Sequence, residues 1–311
     1  MRLVFCGTPQ FAIPALEQLL ASHHSVELVL TQPDRIKGRD SEPSPPPVKQ
    51  LAAKHDVPVL QPEKIKNNLE LRAQLESIHP DAIIVVAYGR IIPDWMLALP
   101  RWGNINLHAS LLPKYRGAAP IQWAVANGET ITGATTMRID QGLDTGDILE
   151  QSTLPIEPDQ TSEDLFPLLA QSGANLLLHT LQGLEAGTVT ATPQDHSQAT
   201  LAPILEREDA LVDFSRTASE IYNRWRGFQP WPGAYTFFRG KKLTLHRLRP
   251  AGSAQLAPAE LAVEHNRLFV GAGNNKILEL QEVQLEGKKR LPAADFLRGA
   301  SLRPHEHLGQ P

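Results

Sequence analysis

The segment Asp81-Ala-Ile-Ile-Val-Val-Ala87 constrains the fold of this chain more than any other. A strand with one wet face alternates apolar and polar residues, whereas this run is apolar from Ala82 to Ala87, with β-branched residues at 83–86. It reads as a strand buried on both faces, the situation of a central strand in a parallel sheet covered by helices. The flanking sequence fits. "RLVFC" (2–6) ends at Gly7 and is followed by helical spacing in Phe11, Leu16, Leu19 and Leu20. "VELVLT" (26–31) predicts a second strand, 48–55 and 67–78 predict helices, and "INL" (105–107) and "TGATTMRID" (132–140) predict further strands. A long helix is expected over 162–187, opened by Ser162 as its N-cap. Strands alternating with helices predict an α/β domain with a mostly parallel sheet. Between them, "QPDRIKGRDSEPSPPPVK" (32–49) carries five prolines, so a long surface loop is expected there.

After Gly187 the periodicity stops, and 188–206 is polar and irregular, as a linker should be. Beyond residue 207 the texture changes. A helical stretch (217–228) precedes short alternating runs at 234–238, 242–248, 267–272 and 276–285, separated by Gly, Asn and Pro turns. That pattern predicts a small β-barrel, for which the five-stranded oligonucleotide-binding barrel is one candidate. The expected organisation is therefore a catalytic domain over 1–187, a linker over 188–206 and a barrel domain over 207–311.

Charge is divided unevenly. Residues 207–311 hold 16 Lys and Arg against 11 Asp and Glu, a net +5, while the remainder holds 14 against 23, a net −9. A basic last part suits a polyanion partner, although ordinary surface charge explains the same figures. No apolar run approaches the ~18 residues of a membrane span, and the apolar run 3–6 is too short for a signal sequence, so a cytosolic protein is expected. The single cysteine, Cys6, lies in that run and reads as a small buried hydrophobe. The eleven histidines show no metalloprotease spacing, and His23-His24 and His305/His307 fall in expected surface segments, so no metal is expected.

The chemistry concentrates in "NINLHASLLPKYRGAAP" (104–120) and "DQGLDTGD" (140–147). Side chains alternate along a strand, so Asn106 and His108 share a face. Both, with Asp144, fall after strands, where open parallel sheets bind ligands. An amide beside an imidazole can stabilise an oxyanion, and a carboxylate can orient the imidazole or hold it protonated. No nucleophile accompanies them, since Ser110 lacks a G-x-S-x-G elbow, so the attacking group would come from a substrate. The alternative is a satisfied polar pair beside a plain Asx turn, and spacing alone leaves both open. Gly7-Thr8-Pro9 matches neither dinucleotide-binding nor Walker glycine patterns.

Together, "FCGTPQFAIPALEQL", "AYGRIIP" (87–93), "NLHASLLPKYRGAAPIQWAVANGE" (106–129), "GLDTGDIL" (142–149) and "QPWPGAYT" (229–236) resemble the methionyl-tRNA formyltransferase family, in order and over the full length. The resemblance implies a Rossmann-like formyltransferase domain and an oligonucleotide-binding-like barrel. It implies 10-formyltetrahydrofolate as co-substrate and the α-amino group of initiator methionyl-tRNA as acceptor. It places Asn106, His108 and Asp144 at the catalytic positions and Ser110, Leu111, Leu112 and Pro113 in the folate-contacting segment. It also gives the 32–49 loop a role on the acceptor stem through Gly38 and Arg39. The sequence departs from the family in following that pair with Asp40, Ser41 and Glu42 rather than lysines. Lys37 and Arg39 are therefore expected to carry the loop's share of tRNA binding, and Lys241, Lys242, Lys288, Lys289 and Arg290 of the last domain more than usual. The protein is expected to act as a monomer, without a membrane. The rivals are a sugar-nucleotide or ribonucleotide formyltransferase, a hydrolase releasing formate from the same folate, and a non-catalytic RNA-binding protein.

Overall fold

The computed structural model describes residues 1–36 and 42–309. Of the residues expected to meet tRNA, Lys37, Gly38 and Arg39, with the neighbouring Asp40 and Ser41, lie outside them. The chain runs β1 (Arg2–Gly7), α1 (Ile13–Leu20), β2 (Ser25–Leu30), β3 (Arg35–Ile36), β4 (Pro43–Ser44), α2 (Pro47–Lys54), β5 (Val59–Leu60), α3 (Leu69–Ile78), β6 (Ala82–Val86), α4 (Asp94–Leu97), β7 (Asn104–His108), β8 (Arg116–Gly117), α5 (Pro120–Ala126), β9 (Ile131–Arg138), β10 (Ile148–Pro155), α6 (Ser162–Ala186) and β11 (Leu201–Ala202). It continues through α7 (Ala218–Gly227), β12 (Tyr235–Phe238), β13 (Lys241–Ser253), β14 (Leu261–Glu264), β15 (Arg267–Ala272), β16 (Lys276–Leu285), β17 (Leu291–Pro292) and α8 (Ala293–Ala300). These form two compact units. One comprises Met1–Pro120, Ile131–Pro155 and Asp164–Pro203, the other Ile121–Thr130, Ile156–Glu163 and Ile204–Pro311.

The first unit is built on a sheet ordered β10-β9-β7-β6-β1-β2-β5. β5, β2, β1, β6 and β7 are parallel, and β9 and β10 continue the sheet antiparallel. All five residues of β6 are buried, as its unbroken apolar run requires. The chain leaves β1 toward β2 and β5 and returns to β6 on the other flank, which puts the topological switch point between β1 and β6. In α3, Asn68 caps the N-terminus by accepting from the Leu71 N–H, so the helix starts where an Asx residue can satisfy its first donors.

Local chemistry revises three expectations. Ser162 opens α6, yet its hydroxyl donates toward the carbonyls of Gly227 and Gln229, at 2.8 and 2.6 Å, tying the first turn to the second unit's own backbone. The 32–49 loop holds regular structure at both ends: β3 pairs with β4, and α2 begins at Pro47 because proline costs nothing at a first helical position. Residues 188–203 are not a free linker. Thr192 exchanges hydrogen bonds with Ile148, both 2.8 Å, and β11 pairs with β8, so this polar stretch spends its backbone groups on the first unit.

The second unit carries an antiparallel sheet ordered β12-β13-β16-β15-β14, with β17 beside β16. Register shifts in β13 bend it. The tail closes the sheet into a barrel: Gly309 N–H donates to Phe237 O at 3.0 Å, Leu261 N–H to Glu306 O at 2.7 Å and Leu308 N–H to Ala259 O at 2.9 Å. Leu243, Leu245, Leu248, Leu268, Val270 and Leu280 fill its interior. Buried Glu279 sits between Arg267 and Arg249, at 2.7 and 2.8 Å, and these guanidinium groups, Arg267 first, hold its carboxyl down at about 2. Among the described residues no helix is long and apolar enough to cross a membrane.

Candidate active site

β7 and β9 place the polar groups. β7 pairs with β6 on one side, Val85 opposite Asn106, and with β9 on the other, His108 opposite Thr135. Asn106 and His108 stand two residues apart and so project to one face. Asn106 is half-buried, and among the described residues its side chain has no hydrogen-bond partner, which leaves its amide donors available to a ligand.

His108 is only 6 % exposed. Its Nε2 lies 2.9 Å from the carbonyl oxygen of Tyr115, and a carbonyl can only accept, so the ring proton is on Nε2. Its Nδ1 lies 3.6 Å from Asp144 Oδ2. The carboxylate stands beside Nδ1, beyond hydrogen-bond distance.

Asp144 sits after β9 in the loop to β10, with φ +52°. Its Oδ2 also accepts the Gly117 N–H at 2.8 Å. Glycine is required at that partner: Gly117 has φ +119°, and a Cβ there would stand 2.7 Å from the Ala202 carbonyl oxygen. Gly146 is required as well, because its Cβ would meet Arg138 O at 2.0 Å. Buried Gln194 donates to the carbonyls of Asp144 and Gly146, at 2.9 and 2.7 Å, and accepts from buried Arg116 at 2.6 Å.

The Ser110–Pro113 segment is fixed from beneath. Ser110 is fully buried, and its hydroxyl donates to Lys114 O at 2.7 Å, so it shapes the loop. Thr135 donates to Ser110 O and accepts from Leu112 N–H, at 2.6 and 3.2 Å, and Gln151 donates to Leu112 O at 2.9 Å. Leu112 is buried, and Leu111 and Pro113 are the half-exposed members of the segment. Sequence reasoning missed Thr135, Gln151, Arg116 and Gln194. Gln194 in particular lies in the aperiodic stretch 188–206, where only the pairing of β11 with β8 reveals its neighbours.

In the second unit the structure unites two of the basic groups. Lys241 and Lys242 begin β13 and Lys288 and Lys289 follow β16, and the Glu286 N–H donates to Lys242 O at 2.8 Å. All four lysines are exposed. Arg290 is instead paired with Glu282, and Lys242 Nζ lies 4.1 Å over the Tyr235 ring. Other reactive groups are accounted for. Cys6 is buried, which pushes its thiol up and removes it as a nucleophile. His24 is buried, against expectation, and groups with His23 and Glu185. The Met1 nitrogen lies 3.1 Å from Glu185.

The family described as "Formyl transferase" matches residues 1–181, and "Formyl transferase, C-terminal domain" matches 204–301. The methionyl-tRNA formyltransferase of Acidobacterium capsulatum is 66 % identical over 99 % of this chain and 100 % of its own length. That of Koribacter versatilis is 60 % identical over 100 % and 99 %, and that of Geobacter sulfurreducens 48 % over 100 % and 97 %. Among solved structures, a Helicobacter canadensis N-formyltransferase complexed with folinic acid and dTDP-3-aminofucose superposes with TM-score 0.65 at 20 % identity, over 89 % of this chain and 98 % of that one. HypX from Aquifex aeolicus with tetrahydrofolic acid superposes with TM-score 0.59 at 18 % identity, over 100 % and 51 %. These likenesses show a shared fold.

Proposed function

The chain belongs to the methionyl-tRNA formyltransferase family, and on that premise we propose how its residues move a formyl group from 10-formyltetrahydrofolate to the α-amino group of initiator methionyl-tRNA. The observation that carries the reading is the pairing of a ligand-free amide, Asn106, with a buried imidazole that has a carbonyl at one nitrogen and a carboxylate beside the other, on a strand end that holds no nucleophile of its own. Such a site activates a carbonyl and leaves attack to a bound amine.

The methionyl amine adds to the formyl carbon, and the formyl oxygen gains negative charge. Asn106 supplies an amide donor to that oxygen, and His108, whose Nε2–H is held by the Tyr115 carbonyl, offers its Nδ1 edge to the site. Asp144 orients His108 across the 3.6 Å gap and takes up, through water, the proton the amine sheds. Collapse breaks the bond to N10 of the folate, which takes up a proton, and leaves N-formylmethionyl-tRNA. The segment Ser110–Pro113 borders the folate, with Leu111 and Pro113 offering apolar surface and Ser110 and Leu112 holding the shape.

Lys241, Lys242, Lys288 and Lys289 form the phosphate-contacting patch of the second unit, with Arg290 held at its margin by Glu282 and Lys37 and Arg39 contributing from the first. In this reading the protein works in the cytoplasm as a monomer. Asn106→Ala and His108→Ala should each lower turnover a hundredfold or more, from the ~2.7–4 kcal/mol that one preorganised electrostatic group supplies, with the KM for folate little changed. Wild-type turnover in either variant would exclude the assignment.

A further inference from the structure

We infer that Gln194, clamped by Arg116, is a positioning residue that holds Asp144 in its working geometry; the inference rests on Asp144 acting through His108 as proposed above. Asp144 is a non-glycine residue at φ +52°, a conformation that persists only where the surroundings impose it. Gln194 is what imposes it. Its single amide nitrogen donates to two loop carbonyls, Asp144 O at 2.9 Å and Gly146 O at 2.7 Å, and so bridges the turn on both sides of Thr145.

The orientation of that amide is fixed by its other end. Gln194 Oε1 accepts from Arg116 Nε at 3.1 Å and Nη2 at 2.6 Å. A guanidinium has donors only, so the amide oxygen must face it and the NH2 must face the loop. Arg116 is 7 % exposed and Gln194 6 %, which leaves neither room to turn. The next residue, Gly117, donates its N–H to the Asp144 carboxylate, and the residue before, Tyr115, accepts from His108. Tyr115 to Gly117 thus references His108, the Asp144 carboxylate and, through Gln194, the Asp144 backbone to one short segment, which β11 anchors by pairing with Arg116–Gly117.

Gln194→Glu separates positioning from folding. The new carboxylate still accepts from Arg116, but it has no proton for either loop carbonyl. Turnover should fall about tenfold to a hundredfold, as a small misplacement of a catalytic group does, while the KM values for folate and tRNA stay near wild type and the thermal midpoint falls only modestly, because the second carboxylate oxygen now faces the two loop carbonyls. In an Asp144→Asn background the same substitution should cost nothing further, because its effect runs through that carboxylate. Gln194→Met, which has no donor and only a weak thioether acceptor, gives a second measurement and should lower turnover at least as far. Wild-type turnover in folded Gln194→Glu, or an undiminished loss in the Asp144→Asn background, would overturn the inference. Wild-type turnover in Asp144→Asn alone would instead overturn the site reading on which it rests.

Discussion

Replacing Asp144 by asparagine removes one charge and almost no volume. The amide oxygen can still accept the Gly117 N–H, now 2.8 Å from Oδ2, so the loop keeps its anchor. That same oxygen faces His108 Nδ1, so the ring keeps an acceptor on that side and the substitution removes only the charge. What is lost is a carboxylate charge 3.6 Å from the ring. A preorganised electrostatic group of this kind supplies roughly 2.7–4 kcal/mol to the transition state, or about two to three decades in kcat. Single-turnover transfer at saturating folate and methionyl-tRNA measures the step directly. Turnover should drop by that factor with both KM values within about threefold of wild type and an unchanged melting temperature. Turnover within threefold of wild type would refute the electrostatic role given to the carboxylate, and a parallel fall in melting temperature would show that the loop, not the charge, was removed.

Other consequences follow from the second unit. Glu279 is held near 2 by Arg267 and Arg249. A carboxyl depressed on folding stabilises above its unfolded value and loses that contribution as pH falls through the folded one. The shift corresponds to at most about 3 kcal/mol, which the half-exposed arginines reduce to roughly 1–2 kcal/mol. Glu279→Gln should therefore be less stable than wild type by that amount near pH 7, and the gap should close between about pH 4.5 and 2 in denaturant titrations; a gap independent of pH would contradict the ion-pair account. Reversing Lys241, Lys242, Lys288 and Lys289 to glutamate should raise the KM for tRNA, flatten its salt dependence and leave the folate KM alone, and equal effects on both substrates would argue against a phosphate patch.

The sequence disclosed what depends on nearest neighbours along the chain. The unbroken apolar run of β6 announced a covered parallel strand, and the two-residue spacing of Asn106 and His108 announced a shared face. It could not disclose what depends on partners far away. Gln194 meets Asp144 only because β11 pairs with β8, and nothing periodic surrounds it. The tail from Glu306 to Gly309 closes the barrel with backbone bonds, which leave no side-chain signature. Lys242 and Lys288 become neighbours through β13 and β16. Ser162 has the residue type of an N-cap, and only the carbonyls of Gly227 and Gln229 show that it donates instead.

The most direct test of the whole account is transfer from 10-formyltetrahydrofolate to initiator methionyl-tRNA, run beside uncharged tRNA with formate release monitored in both. The account predicts N-formylmethionyl-tRNA that appears only with the charged acceptor, and no formate above background. Formate release without a formylated acceptor would contradict it, because water would then be taking the place assigned to the methionyl amine.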